Sequence, residues 1–250
     1  YDLQTIINYN NTGSPSTIGN GSKANQIGAA RILKAFYFLR MTDIWGDIPY
    51  SDALKGSTAY SPKYDTQESI YTDLFKELTE AVAQIKENEA GVAGDVLFNG
   101  DMAAWKRFAN TIRLAMSVRL SKVNAAKGKT EYAAAIAAGV IGSNAQNIMY
   151  KFIAGDPYNY NPWYDNYSVS NRNDYAISKT MTDYMEPKAD PRLPVFGEVL
   201  ASGLVKGLPY GRNAAVNIPA AYSRIGAAFR GQGSPLSIYN YAEVLFLQAE

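Results

Sequence analysis

Residues 29–50 decide the fold of this chain, and they read AARILKAFYFLRMTDIWGDIPY. Apolar residues recur every three or four positions from Ala29 to Leu39, which predicts a helix with a broad apolar face. Only a few basic residues interrupt that face, so we expect the helix at the centre of the fold. Gly46 then permits a backbone conformation that other residues avoid, and Pro49 disfavours helix in the residue before it. The stretch therefore predicts a buried helix with a sharp exit turn.

The composition of the chain excludes several classes of function. In 250 residues, 24 basic and 23 acidic side chains nearly balance, so nothing favours nucleic acid or an anionic membrane surface as a partner. The chain contains no histidine and no cysteine, which excludes Ser-His-Asp catalysis, thiolate chemistry and metal sites built on those side chains. We therefore expect no cofactor, no metal site and no nucleic-acid partner.

The two ends of the sequence both lie within periodic segments. Residues 1–9 predict the tail of a helix, and residues 241–250 predict a helix without a terminating residue. No apolar run approaches the roughly 20 residues that a membrane-spanning helix requires. We expect an internal fragment of a longer protein, so the absence of a targeting segment carries no weight.

Amphipathic helices dominate the first half of the chain. Apolar side chains at helical spacing predict helices over residues 25–43, 66–88 and 101–122, and these helices are expected to pack on one another. A further Ala-rich helix is predicted to end near Ala138. The predicted capping residues are Ser22 or Asn25, Asp65 in a capping box with Glu68, Asp101, and Thr130. The side chains expected to be largely buried are Phe36, Leu78 and Trp105.

The character of the sequence changes near residue 141. Residues 142–235 are rich in Asn, Tyr, Gly and Pro and show little periodicity; residues 147–153 are the best candidate strand. Long irregular regions in compact proteins tend to be functional. The predicted organisation is a helical-repeat core over residues 1–141, a loop-rich ligand-facing region over 142–235, and the start of a further core helix over 236–250.

Four stretches of the sequence, at residues 45–50, 64–81, 100–121 and 190–250, follow one another in the order found in a known family. Together they span nearly the whole chain, which resembles the SusD/RagB family of outer-membrane nutrient-binding lipoproteins. The residues that carry the resemblance include Trp45, Gly46, Asp47 and Pro49 in the first stretch, Tyr64 and Asp65 in the second, Gly100, Asp101 and Trp105 in the third, and Asp190, Pro191, Arg192, Tyr210 and Gly211 in the fourth.

This resemblance implies both a fold and a role. The implied fold is all-α, with tetratricopeptide-like helix pairs in a right-handed superhelical core and a long loop-rich region packed on it. The implied protein is exposed at the cell surface and attached to the outer membrane only through a lipid anchor, which would lie outside this fragment. It captures oligosaccharide or peptide and delivers it to a partner, a TonB-dependent (SusC-like) outer-membrane transporter, without performing chemistry on it.

Two other functional classes remain open. A helical-repeat scaffold that binds another protein, and no small ligand, is compatible with the same helix pairs. A glycan-cleaving enzyme would need two carboxylates about 5–9.5 Å apart, one of them with a raised pKa. The candidate pairs are Asp43 with Asp47 and Glu186 with Asp190, but their spacing in the sequence shows neither property. We expect a binding protein and not an enzyme.

Residues 156–167 form the most distinctive stretch, with aromatic side chains interleaved with Asn and Asp on a predicted loop. Aromatic planes cover the apolar C–H faces of sugars, while Asn and Asp bond the hydroxyl groups at their edges. The alternative is a Tyr- and Asn-rich loop that packs on its own helices. The candidate ligand-binding residues are Tyr158, Tyr160, Asn161, Trp163, Tyr164, Asn166 and Tyr167.

Other polar and aromatic positions favour a structural role. Trp45 is expected to pack on the end of its helix, and Asp47 is expected to cap the turn that follows. Asn110, Arg113 and Arg119 lie on an otherwise apolar helix, and buried polar groups need hydrogen-bond partners. We therefore expect these three side chains to be bonded within the protein.

Overall fold

The structure is a computed structural model that describes residues 1–211, 218 and 220–250. The part of the predicted loop-rich region at 212–217 and at 219 lies outside the described residues. The chain divides into two compact units. We call them the helical unit, Tyr1–Ile148 with Ile238–Glu250, and the loop-rich unit, Met149–Ser237. The domain boundaries predicted from the sequence stay a prediction.

Helices dominate the described residues, and the strands among them form only two short two-stranded sheets, β1 with β2 and β3 with β4. The all-α class predicted from the sequence is therefore confirmed. The helices are α1 (Asp2–Thr12), α2 (Lys23–Trp45), α3 (Gln67–Gln84), α4 (Met102–Arg119), α5 (Ala125–Ala138), α6 (Pro162–Tyr164), α7 (Lys179–Met185), α8 (Leu193–Phe196), α9 (Ala227–Arg230) and α10 (Tyr241–Ala249). The strands are β1 (Ile48–Pro49), β2 (Tyr64–Asp65), β3 (Ile148–Tyr150) and β4 (Leu236–Tyr239).

Helix α2 lies at the centre of the helical unit, where it packs against α1, α3 and α4. Its Ile32 and Leu39 are fully buried, and burying each such side chain stabilises the fold by about 1.5–3 kcal/mol. The helix begins after Ser22, whose hydroxyl accepts from the Asn25 amide at 3.3 Å. Gly28 sits where a Cβ would lie 2.6 Å from Ile85, so its missing side chain allows the close approach of α2 to the end of α3. The central position predicted for this helix is confirmed.

A buried polar clasp ties the start of α2 to the end of α3. The Asn25 side-chain amide donates to the carbonyl oxygens of Lys86 and Ala90 at 2.9 and 3.0 Å. Its side-chain oxygen accepts from the Lys86 backbone amide at 2.8 Å. Because Asn25 binds both backbone groups of Lys86, the helix cannot use them, and α3 ends at Gln84. The predicted span to residue 88 was therefore too long.

Aromatic side chains fill the middle of the helical core. Trp105 and Leu78 are buried, as predicted, and the Trp105 indole donates to the Asp95 carboxylate at 2.8 Å. Phe36 is partly buried and packs against the core cluster, which agrees with the prediction that it is largely buried. Its ring contacts Phe108, with centroids 5.6 Å apart, but it lies at the margin of the cluster beside the exposed Tyr37.

The start of α3 differs from the predicted capping box. Its cap is Thr66, whose hydroxyl accepts from the Ser69 amide at 3.3 Å. The Asp65 carboxylate instead accepts from the backbone amides of Tyr50 and Ser51, at 3.2 and 2.7 Å. The Asp65 carboxylate thus binds a turn that is distant in the sequence, and the hydroxyl of the next residue, Thr66, caps the helix instead.

Helix α5 begins earlier than predicted, because Asn124 and not Thr130 is its cap. The Asn124 side chain accepts from the Lys127 amide at 3.2 Å. Gly128 lies inside the helix and is buried. A Cβ at this position would lie 2.9 Å from the carbonyl oxygen of Ser117, so the glycine permits close packing of α5 on α4.

Polar side chains of α4 are bonded within the helical unit, as predicted. Asn110 donates to the carbonyl oxygens of Ala138 and Gly139 at 3.1 and 3.0 Å, which closes the end of α5. Arg113 pairs with Glu131 at 3.0 Å, also on α5. Arg119 pairs with Asp43, near the end of α2. These bonds offset the desolvation of the polar groups that they bring into the interior.

The turn after α2 contradicts the packing predicted for Trp45 and gives Asp47 a capping role. Trp45 is 67% exposed and does not pack on the helix end, because it lies on the outward side of the last turn of α2. The turn is closed instead by Thr42, whose hydroxyl donates to the carbonyl oxygen of Gly46 at 2.6 Å. Gly46 has a φ of 73°, the left-handed region that favours glycine. Asp47 accepts from the first amide of α3, at Gln67, at 2.9 Å.

The loop-rich unit contains four short helices among its described residues, α6 to α9. A small core of Ile177, Met185 and Leu193 lies within it. Of the predicted strand over residues 147–153, only Ile148–Tyr150 is extended in a sheet. None of the described helices, in either unit, combines the length and the hydropathy that a bilayer crossing requires.

Candidate ligand-binding site

The aromatic stretch at residues 156–167 is only partly a loop. Its second half is helical: α6 spans Pro162–Tyr164 and continues into a π-helical turn over Asp165–Val169. Asn161 caps α6, with its side-chain oxygen accepting from the Trp163 amide at 2.8 Å, and proline occupies the first helical position. The predicted loop is therefore wrong for this half, since the helix signal is a single capped turn too short for periodicity to reveal.

The first half of the stretch is a tight turn built on Asp156. The Asp156 carboxylate accepts from the Tyr158 backbone amide at 3.0 Å and from the Asn159 side-chain amide at 2.6 Å. These hydrogen bonds, that from Asn159 first, hold the pKa of Asp156 below its usual range. Tyr158 projects from this turn and is 94% exposed. The turn therefore presents an aromatic side chain on a rigid base.

Asn161 anchors the stretch to a distant turn of the same unit. Only 3% of the residue is exposed. Its side-chain amide donates to the carbonyl oxygens of Phe229 and Ser234, at 3.1 and 2.7 Å, and its backbone amide donates to Gln232 at 3.0 Å. Because its side-chain polar groups are bonded within the protein, Asn161 positions the neighbouring aromatic rings.

Tyr167 is the second buried member of the candidate set. Its hydroxyl donates to the carbonyl oxygen of Tyr175, and the guanidinium carbons of Arg224 and Arg230 lie 5.5 and 5.6 Å from its ring centroid. Burial raises the pKa of the Tyr167 hydroxyl. The side chain thus fixes the π-helical turn to its neighbours within the loop-rich unit.

Two edge-to-face pairs of partly or fully exposed rings, together with the exposed Tyr158, make up what we call the aromatic platform. The rings of Trp163 and Tyr175 meet edge to face, with centroids 4.8 Å apart. Those of Tyr160 and Tyr164 do the same at 5.3 Å. Sequence reasoning missed Tyr175, which is 46% exposed, although it too follows an Asn-Asp pair. The aromatic platform consists of Tyr158, Tyr160, Trp163, Tyr164 and Tyr175.

Asn166 places an unused hydrogen-bond acceptor next to Tyr167. Its side-chain oxygen is buried and has no partner among the described residues. The backbone carbonyl of Asn166 is occupied, since it accepts from the Arg172 amide at 2.9 Å. A buried acceptor without a partner costs about 1–3 kcal/mol, so a hydroxyl donor at this place would be stabilising.

Three of the four carboxylates considered for glycan cleavage, Asp43, Asp47 and Asp190, are committed to other bonds. Asp43 accepts from Tyr71 and Arg119, and Asp47 accepts from a backbone amide of α3. Arg192 donates through its side chain and its backbone to Asp190, which lowers the pKa of Asp190 to about 2. A glycosidase acid needs a raised pKa, so Asp190 has the opposite property.

Comparison with known proteins identifies the family. The whole chain, residues 1–250, matches the model of a SusD-like family described as starch-binding and associating with the outer membrane. This chain belongs to the SusD-like family. The resemblance inferred from the four sequence stretches is therefore confirmed.

Solved structures of SusD-like proteins share the fold. A SusD homolog from Bacteroides uniformis has a TM-score of 0.81 at 28% identity, over 100% of this chain and 50% of that one. A chitin-binding SusD homolog from Flavobacterium johnsoniae has a TM-score of 0.77 at 28% identity, covering 99% and 51% of the two chains. A protein described as chitin-binding has a TM-score of 0.76 at 29% identity, covering 99% and 55%. The tetratricopeptide-like SusD fold is confirmed.

This SusD-like chain spans about half the length of those solved proteins, 50–55% of each. A comparison with curated protein sequences finds no match. The family is described as starch-binding and as associating with the outer membrane, and two of the solved relatives are described as chitin-binding.

Proposed function

We propose that this SusD-like chain belongs to a glycan-binding protein and that the aromatic platform contacts the glycan. The observation that carries the proposal is the pair of rings Trp163 and Tyr175, which are partly exposed and locked edge to face at 4.8 Å. Rings that are already held in place lose little conformational entropy when a sugar stacks on them. The family description and the chitin-binding relatives support glycan over peptide as the ligand.

Polar groups beside the platform suit the hydroxyl edges of a sugar. The unpartnered oxygen of Asn166 and the exposed Asp165 offer acceptors, and Arg172 with its partner Asp174 offers donors and acceptors together. Asn161 and Tyr167, which the sequence suggested as ligand contacts, we assign to positioning because both are buried and bonded. The proposed contacts are therefore Tyr158, Tyr160, Trp163, Tyr164, Asn166 and Tyr175.

Affinity electrophoresis tests this proposal directly. The purified chain is run through gels containing soluble starch, glycol chitin, mannan or mucin glycans, with a panel of peptides titrated in parallel. We expect retardation by at least one glycan, and we expect Trp163→Ala to reduce it. If no glycan retards the protein but a peptide or another protein binds it, the result would favour the scaffold alternative.

We further propose that the ligand leaves unchanged. The SusD-like family is described as starch-binding, and three of the four carboxylates considered as catalytic pairs, Asp43, Asp47 and Asp190, are held in structural bonds. Incubation with the retarding glycan should release no reducing ends above a blank. Release that disappears on replacing one carboxylate would overturn this part of the proposal.

Location and partner follow from the family and are also proposals. A lipid-anchored protein on the outer surface would deliver its glycan to a TonB-dependent (SusC-like) transporter in the same membrane. Protease treatment of intact cells should remove the protein if it is surface-exposed. Purification of the tagged protein from outer membranes should recover a TonB-dependent transporter in stoichiometric amount, and its absence would argue against delivery.

A further inference from the structure

A separate pocket of about 470 Å³ lies wholly within the helical unit. It is lined where α2 and α4 end and where α3 and α5 begin. Pockets of this size are in the range that bury small-molecule ligands. None of the residues of the aromatic platform lines it, so it is a different feature of the molecule.

One wall of the pocket is polar and fixed. The Asp43 carboxylate accepts from the Tyr71 hydroxyl at 2.5 Å and from the Arg119 guanidinium. A guanidinium carries five N–H groups, and the contact with Asp43 uses the Nη1 of Arg119. Because the Asp43–Arg119 pair is assembled before a ligand arrives, its unused donors and acceptors need no reorganisation to bind one.

The opposite side of the pocket combines further donors with apolar surface. Lys127 donates to the Thr72 hydroxyl at 2.9 Å, which leaves two of its three N–H groups for a ligand. The Asn124 side-chain oxygen is engaged by the backbone of α5, but its amide group has no partner among the described residues. Val123, which also lines the pocket, is 82% exposed. A ligand here meets both hydrogen-bonding groups and an aliphatic face.

The charges of the pocket select a neutral ligand. Two acids, Asp43 and Glu68, and two bases, Arg119 and Lys127, line it, so its formal charge is zero. Because the formal charge is zero, an anion or a cation gains no net electrostatic attraction, whereas hydroxyl groups can bond to side chains of either sign. Sugars are neutral, carry many hydroxyl groups and have C–H faces. We propose that this pocket is a second binding site, for a neutral polyhydroxy ligand of one or two sugar rings.

The absence of an aromatic plane sets the size of that ligand. Tyr71 is the only aromatic residue among those that line the pocket, and it is buried with its hydroxyl bonded to Asp43. Long glycan chains bind on exposed stacking surfaces, which the platform has and this pocket lacks. The two sites therefore differ in the length of ligand that each accepts.

The test is an NMR titration of the ¹⁵N-labelled chain with maltose and with N,N′-diacetylchitobiose. We expect saturable shifts of the Thr72, Asn124 and Lys127 amides with at least one of the two. Val123→Trp, which places a large ring on the exposed rim, should abolish these shifts without loss of stability. Lys127→Met keeps the aliphatic stem and removes the donor, so it should weaken binding about three- to tenfold. Trp163→Ala, which tests the platform, should leave these shifts unchanged.

Charged probes decide between ligand classes. Sodium acetate and N-acetylglycine should cause no saturable shift, because the two carboxylates of the pocket balance its two bases and leave no net attraction for an anion. Glu68→Gln gives the pocket a net positive charge, so it should strengthen the binding of anions. It should leave the affinity for the sugar within twofold. The proposal is overturned if neither sugar shifts these amides, or if the anions do so in the unmodified chain. It is equally overturned if Val123→Trp leaves the sugar response intact.

Discussion

The side-chain amide of Asn161 donates to the carbonyl oxygen of Ser234 at 2.7 Å, which joins two segments 73 residues apart at the base of the aromatic platform. A second bond from the same amide reaches Phe229 at 3.1 Å. Because Tyr160, Trp163 and Tyr164 lie within three residues of Asn161 in the chain, the position of these rings depends on these bonds. The platform is thus held by contacts that lie outside the stretch that carries it.

Asn161→Ala should destabilise the loop-rich unit and loosen the platform. The change removes the cap of α6 and leaves two buried carbonyl groups without donors, at a cost of about 1–3 kcal/mol. Hydrogen exchange should accelerate at the amides of Trp163 and Asp165. Asn159→Ala, which removes a part-buried contact to Asp156, is the matched control. Unchanged protection at Trp163 would show that Asn161 does not position the platform.

Trp163→Ala should weaken glycan binding several-fold to about tenfold. Its indole pairs with Tyr175, and such aromatic contacts contribute about 0.5–1.5 kcal/mol beyond area burial, where 1.4 kcal/mol is a factor of ten. Trp163 is only partly buried, so the loss of stability should be small. The measurement is a titration with the glycan found by electrophoresis, paired with a melting curve.

Tyr184→Ala is the control for that experiment, because Tyr184 is an exposed aromatic residue of the same unit on α7. It should leave affinity unchanged. Tyr175→Ala should mimic Trp163→Ala, and the double variant should lose less than the sum, since the two rings act as a pair. If Trp163→Ala binds the glycan normally but melts at a lower temperature, residues 156–167 have a structural role and do not contact the ligand.

The long helices were predictable because their information is local. The apolar period of α2, the cap at Asp101 and the stripe of α3 are all visible within a few turns of sequence. The errors came from contacts between distant residues. Asp65 does not cap α3 because its carboxylate accepts from the amides of Tyr50 and Ser51. Gly128 lies inside α5 because a glycine there allows α5 to approach Ser117.

The candidate site shows the same division. Composition alone pointed to residues 156–167, but it could not separate the exposed rings from the buried Asn161 and Tyr167. That distinction depends on partners such as Ser234 and Arg230, which lie more than sixty positions further along the chain. Tyr175 was missed because it pairs with Trp163 across a π-helical turn, which the periodicity of the sequence does not predict.

Trp105→Ala should act on stability and not on the ligand. Trp105 is buried in the helical unit, packs on Phe98 at 5.0 Å and donates to Asp95. Removing its ring leaves a cavity that costs about 3–5 kcal/mol of the free energy of unfolding. Denaturant titration measures this cost, with Tyr37→Ala on the exposed side of α2 as a control that should change stability by less than about 0.5 kcal/mol. A cost below that of the control would contradict the core assignment.

Buried tyrosines should make the fold sensitive to alkali. Burial raises the pKa of Tyr239 to about 12, and burial also raises the pKa values of Tyr50 and Tyr71. An unfolded tyrosine titrates near pH 10. Between pH 10 and 12 the unfolded chain therefore binds fewer protons than the folded chain, and stability must fall as the pH rises. Below pH 10 these residues are protonated in both states and contribute no slope.

Tyr239→Phe isolates one of these contributions. The variant keeps the ring that contacts Phe36 and Phe108 but removes the titrating hydroxyl. Each such tyrosine contributes at most about 1.4 kcal/mol per pH unit to the slope, so the variant should lose stability less steeply above pH 10 by up to that amount. Lys34, whose pKa burial lowers, titrates in both proteins and cancels in the comparison. Tyrosinate absorbance provides the independent check: if every tyrosine of the folded chain ionised near pH 10, the burial of Tyr239 could not be coupled to stability in this way.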